Sequence, residues 1–106
     1  MTKGDIVLIP FPFTDLSDYK TRPAMVLVEL KHDMIVAFIT TQMKYQENYD
    51  IPVEPDSQNH LKLPSIIKLT KLATLDRQII LGKLGTFNSI ILQEIDRNLT
   101  ALFQLG

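Results

Sequence analysis

IPFPFTDLSDYKTRPAMVLV, residues 9–28, is the stretch on which the fold turns. An apolar run carries Pro10 and Pro12, gives way to mainly polar chain from Thr14 to Arg22, and resumes through Pro23 into Ala-Met-Val-Leu-Val. Proline cannot donate to a sheet ladder, and two prolines two apart leave their missing N–H groups on one side of a strand. That side must be an unpaired edge near the strand end, so the prolines are expected to stop pairing where the polar segment departs. A connection in a simple scaffold needs two to five residues, so the longer polar segment reads as functional.

Outward from that stretch, the pattern is mostly β. Asp5 to Phe13 reads as a strand with Ile6 and Leu8 on one face and Val7, Ile9, Phe11 and Phe13 on the other, both faces buried. Pro23 to Leu30 reads as a second strand, and a turn at Lys31-His32-Asp33 leads to a third from Met34 to Met43, on which Thr40 and Gln42 share a face. Residues 44–64 are polar and interrupted by prolines, with a short strand at Ile51 to Val53 and a surface loop through 55–59. Ser65 to Thr70 forms a further strand with Lys68 and Thr70 on one face; Leu72 to Asp76 and Ile79 to Leu84 are strand or bend, closed by Gly85. From Asn88 or Ser89, either a good N-cap, the period changes: Ile91, Leu92, Ile95, Leu99, Leu102 and Phe103 make the apolar face of a C-terminal helix of about four turns. The expected fold is mainly β, a small antiparallel β-barrel with a helix packed on it, forming a single domain over residues 1–106.

With 45% hydrophobic and 22% charged residues the composition is that of a globular protein. No apolar run suits a signal peptide or a membrane span, and the absence of cysteine fits a reducing compartment, so the expected location is cytoplasmic with no membrane partner. The net charge of −1 hides an asymmetry, since Lys62, Lys68, Lys71, Arg77 and Lys83 face only Asp76 between positions 62 and 83. A local basic face suits a phosphate-bearing ligand, and a solvated sheet face gives the same pattern.

Chemistry is narrowed by elimination. His32 and His60 lack partners at metal-ligand spacing, the glycines at 4, 82, 85 and 106 form no phosphate loop, and there is neither a nucleophile elbow nor a thiol, so no metal or other cofactor is expected. RNA brings its own nucleophile, the 2′-hydroxyl. A site that cleaves it needs a permanently charged donor aimed at the phosphate, a hydroxyl or amide for its oxygens, and a proton acceptor. Arg22, Thr40 and Gln42 suit the first two roles; an exposed pairing of Arg22 with a loop aspartate and an ordinary strand end at Thr40 and Gln42 suit them equally.

The segments Gly4-Asp5-Ile6-Val7, Thr21-Arg22-Pro23-Ala24-Met25-Val26-Leu27-Val28, Ile39-Thr40-Thr41-Gln42, Ala73-Thr74-Leu75-Asp76 and Gly82-Lys83-Leu84, in that order before a final helix, resemble the MazF/PemK (Kid) family of type II toxin–antitoxin endoribonuclease toxins. The resemblance implies the SH3-like barrel of the MazF/PemK/CcdB superfamily, usually a homodimer, and metal-independent cleavage of single-stranded RNA to a cyclic phosphate and a 5′-hydroxyl. It further implies translation inhibition, a cognate antitoxin as partner, and DNA binding through the antitoxin complex. By the same match Arg22 is the catalytic arginine and Thr40 holds the scissile phosphate, while Lys20, Gln42, Lys68 and Thr70 are candidate RNA contacts. The chain departs from the PemK branch where an arginine and an aspartate stand two apart, here Lys68 and Thr70, and where Ala73 replaces an arginine; a first-loop histidine is also absent. Thr70 cannot act as a base, which leaves Asp15 and Asp18 as candidate proton acceptors. These departures also suit a catalytically degenerate relative that binds RNA or antitoxin. A CcdB-like gyrase poison ranks last, because the chain ends Phe103-Gln104-Leu105-Gly106 without tryptophan.

Overall fold

The structure, a computed structural model, describes residues 1–11 and 20–106. Strands β1 (Asp5–Phe11), β2 (Lys20–Glu29), β3 (Asp33–Thr40), β4 (Ile51–Val53), β5 (Ser65–Asp76) and β6 (Gly82–Thr86) precede one helix, α1 (Ser89–Leu102). They form one antiparallel sheet in the order β4-β5-β3-β2-β1-β6, curled into a half-barrel against which α1 packs.

Alternation along the strands divides the core between the two faces of the sheet. Ile6, Met25, Ala37, Ile39, Ile67 and Leu69 line the face that meets Ile95 of α1, with Ile91, Leu92, Leu99 and Leu102 partly buried there. Val7, Ile9, Ala24, Val26, Met34, Val36 and Leu75 form a second cluster, joined by Phe38, Ala73, Ile79 and Ile80. From Ile6 to Ile9 β1 is buried on both sides, as its sequence predicts, whereas Phe11, expected on a buried face, is half exposed and Phe13 lies outside the described residues. The helix begins where Asn88 Oδ1 accepts from the Ile91 amide at 3.0 Å, satisfying one of the donors a helix N-terminus leaves open. Phe103, expected on the apolar face, is the exposed C-cap residue.

Three register shifts bend the sheet. They lie between Ile6 and Val7 against β6, between Val26 and Val28 against β3, and between Ala37 and Phe38 against β5. The last is the largest: Ala37 faces Leu72 and Phe38 faces Lys68, so residues 69–71 bulge from a strand that remains continuous over twelve residues. What reads in sequence as two segments, Ser65 to Thr70 and Leu72 to Asp76, is one bent strand.

Other boundaries move for local reasons. β2 starts at Lys20, because Lys20, Thr21 and Arg22 pair with Phe11, Pro10 and Ile9; Pro10 does not end this hairpin. Pro10 is tolerated because β6 accompanies β1 only from Asp5 to Leu8, leaving no strand among the described residues on the other side at Pro10. Pro12 and the polar residues from Thr14 to Tyr19 lie outside the described residues. β3 stops at Thr40, where the Gln42 amide donates to Thr40 Oγ1 at 3.0 Å, and Met43–Tyr45 continues as a 3-10 turn. Gln42 therefore lies beyond the strand, contrary to the alternation that puts it on one strand face with Thr40.

Gly85 lies inside β6 and does not close it. A Cβ there would stand 2.4 Å from the Gln58 carbonyl oxygen and 2.6 Å from that of Asn59. The loop carrying those carbonyls is fixed by buried Asn59, which accepts from Leu61 N and donates to Glu54 O, so it has no room to retreat. Gly85→Ala is expected to destabilise the fold by about 1–3 kcal/mol, as overpacking does, and to lower the Tm by at least several degrees, whereas Gly82→Ala, with open space around the added Cβ, should melt within about 2 °C of the wild type by calorimetry.

Candidate functional site

Where the sheet bends, a cleft of about 380 Å³ opens between β1, β2, β3 and β5. Ile9 and Phe11 of β1, Arg22 and Pro23 of β2, and Phe38, Ile39 and Thr40 of β3 line it, followed by Thr41, Gln42 and Tyr45 after β3. Ser65, Lys68 and Lys71 of β5 complete the wall. The hairpin register places Arg22 opposite Ile9, so a polar residue on the exposed half of β2 reaches the cleft beside the end of β3. Among the described residues the lining carries three cations and no acid.

The cations are not equivalent. Lys68 is buried, and its ammonium donates to Asp50 Oδ2 at 2.6 Å and to the Tyr45 carbonyl oxygen, with Glu47 Oε1 at 3.5 Å. Asp50, whose side chain has no solvent exposure, also accepts from the Glu47 amide at 3.0 Å, the Thr70 amide at 3.1 Å and the Thr70 hydroxyl at 3.0 Å. The side chains of Arg22 and Lys71 have no hydrogen-bond or ion-pair partner among the described residues. Among the described residues, the positive charge left without a counter-charge in the cleft is therefore that of Arg22 and Lys71. Thr40 Oγ1, already accepting from Gln42 N, retains its own proton to donate into the cleft.

Of the residues singled out from sequence, Arg22, Thr40, Gln42 and Lys68 share this cleft. Lys20 is exposed at the start of β2, opposite Phe11 and outside the lining, and Thr70 points its hydroxyl into Asp50. Asp15 and Asp18 lie outside the described residues.

Tyr45 and Asp50 escape sequence reading, and Lys71 figures in it only as one of a basic face. Strict alternation sets Lys71 on the face opposite Lys68; the bulge at 69–71 resets the alternation and brings both to the cleft. Tyr45 arrives because β3 ends at Thr40. Asp50 sits in a polar stretch with no periodicity, and the only signal it offered is its place immediately before the short strand Ile51–Val53.

Burial pushes the Asp50 carboxyl pKa up, but the Lys68 ammonium, the two amides and the Thr70 hydroxyl more than offset this and hold it below its ordinary value of 3.8. Such a group is charged and saturated with donors, suited to holding Lys68 and the bulge and unsuited to taking a proton. Asp5 is similar: burial raises its pKa, and the Thr2 amide and the Lys83 ammonium bring it below 3.8. A carboxylate with a lowered folded pKa stabilises fully above its unfolded value and loses that contribution as pH falls through the folded one. The wild type should thus lose stability below about pH 4, through both groups. Asp50→Asn should cost about 3–5 kcal/mol at pH 7, since it leaves a buried ammonium without its counter-charge, and should show a shallower acid limb, the remainder reporting Asp5. Thermal melts from pH 7 to pH 2 measure both effects.

A half-barrel sheet with a C-terminal helix and, where the strands bend, a cleft whose described lining carries three cations and no acid define a small β protein of mainly antiparallel sheet. The model for PemK-like, MazF-like toxins of type II toxin–antitoxin systems matches residues 2–103, and the chain belongs to that family. By sequence alone no curated protein matches it. Solved structures share the fold at low identity. A mycobacterial endoribonuclease in complex with its cognate antitoxin aligns with a TM-score of 0.76 and 15% identity, over 100% of this chain and 97% of the other. The Mycobacterium tuberculosis toxin MazF-mt6 gives 0.75 and 20% over 96% and 98% of the two chains, and MazF from Deinococcus radiodurans gives 0.72 and 20% over 98% and 96%. No helix among the described residues is long and apolar enough to cross a membrane.

Proposed function

We propose that the protein is a sequence-preferring, metal-independent endoribonuclease toxin of a type II toxin–antitoxin system, which cleaves single-stranded mRNA and so inhibits translation. The observation that carries this reading is the meeting of Arg22 and Thr40 in one open cleft that, among the described residues, has no acidic lining residue. A phosphodiester held there lies against a guanidinium with no described partner and a hydroxyl with a proton to give.

In the proposed reaction the 2′-hydroxyl of the RNA attacks the adjacent phosphorus. Its proton passes to a base, for which Asp15 and Asp18 remain the candidates. Negative charge accumulates on the phosphorane oxygens, where Arg22 supplies a planar, charged donor and Thr40 a hydroxyl. The bond to the 5′-oxygen then breaks, that oxygen takes up a proton, and the products are a 2′,3′-cyclic phosphate and a 5′-hydroxyl. Lys71 and Gln42 contact the strand beside the scissile phosphate, Lys20 contacts it further out, and Lys68 and Thr70 act through Asp50. The working unit is a cytoplasmic homodimer, each copy one toxin domain, silenced by an antitoxin; the antitoxin-bound mycobacterial endoribonuclease of the same fold supports that partner.

A binding protein with a degenerate site is the second reading, favoured by the engagement of both Lys68 and Thr70 with Asp50. The two separate on one experiment: long mixed-sequence RNA incubated in excess EDTA with wild-type protein and with Arg22→Ala. Expected are cuts at preferred sites with 5′-hydroxyl ends, slowed about 10²- to 10³-fold in the variant, the range seen on removing one donor to a developing oxyanion. Folded wild-type protein that binds RNA but leaves it intact would select the binding protein.

A further inference from the structure

The 3-10 turn Met43–Tyr45 buries none of its residues, so no apolar packing fixes it. Polar contacts do. The Tyr45 amide donates to the Gln42 carbonyl oxygen at 3.1 Å, and the Tyr45 carbonyl accepts from the Lys68 ammonium, which Asp50 holds from the other side. The Lys68 side chain is 7% exposed and that of Asp50 0%, whereas Tyr45, which lines the cleft, is 56% exposed. This distribution runs against folding economy. A buried ion pair adds little net stability, and a ring left in water adds none, but the pair holds in one place the backbone that carries the ring before any ligand arrives. Lys44 Nζ, 5.3 Å from the ring centroid, adds positive charge on the same turn.

We propose that Tyr45 is a stacking platform for one nucleobase of the RNA strand whose phosphate lies at Arg22 and Thr40, and that the Lys68–Asp50 pair is the positioning element that holds it. The assignment rests on the RNA reading above. Stacking on an aromatic ring tolerates any base and needs a fixed ring beside a cationic track, which is what Tyr45, Arg22 and Lys71 present together. Lys68 then serves the strand without touching it, through the Tyr45 carbonyl.

The test uses a labelled single-stranded RNA of about a dozen nucleotides, 2′-O-methylated so that it binds without being cut, and the same strand with each base in turn made abasic. Tyr45→Ala should weaken binding roughly 5- to 100-fold, the equivalent of one lost base stack, while Tyr45→Phe stays within about twofold. One abasic position should weaken the wild type by a similar factor and leave Tyr45→Ala unaffected. Lys68→Met should lose that same abasic discrimination, a readout that a purely structural role would not move. Tyr45→Ala binding and discriminating like the wild type, while Arg22→Ala loses binding, would overturn the stacking assignment and leave the RNA site standing. Wild-type protein that ignores the strand, or binds it unchanged after Arg22→Ala, would overturn both.

Discussion

The carboxylate of Asp50 sits at the point where the sheet changes direction, and the cleft depends on it. β5 must pair with β4 and the end of β3 through residues 65–68 and with the start of β3 through residues 72–76. The bulge between those halves leaves the Thr70 amide to a side-chain acceptor. Asp50 supplies it, takes the Thr70 hydroxyl as well, and neutralises the one cation of β5 that the bend buries. An unpaired buried ammonium carries a penalty that a marginally stable domain tolerates poorly. Asp50 removes it and fixes the bulge by the same carboxylate.

The electrostatic consequence is a division of labour among cations that a charge count treats alike. Lys68 is neutralised inside the protein, Lys83 is drawn to Asp5, and Arg77 to Glu29. What remains directed at the cleft is Arg22 and Lys71, with the Thr40 hydroxyl between strand end and turn. A net charge of −1 over the chain is compatible with a polyanion site because the field that matters is local, set by which charges have partners and which do not.

Much of this was legible in the residues. The two-faced apolar pattern of β1, the cap at Asn88 and the helical period after it are local signals, and local signals survive into the fold. Arg22 and Thr40 stand out in sequence because the family motifs mark them, and both line the cleft. What the sequence hid depends on contacts between distant segments. The bulge that brings Lys71 round is set by the mismatch between β5 and β3. The start of β2 at Lys20 reflects pairing with β1, which polar residues do not advertise. Asp50 and Tyr45 belong to a stretch that reads only as polar chain, and their importance comes from Lys68, eighteen and twenty-three residues further on. The loop at 55–59 read correctly as loop, while the burial of Asn59 against the backbone of that loop did not show.

The central claim is that the cleft supplies charge and geometry while the RNA supplies the nucleophile. It is tested most directly by a strand carrying one preferred cleavage site, with a single 2′-deoxy substitution at the nucleotide on the 5′ side of the scissile bond. The account predicts that this strand binds like its all-ribose parent and is not cut at that bond, even at enzyme excess and long times. Cleavage persisting at the same bond would mean that water or a protein group attacks the phosphorus, and would contradict the account at its base.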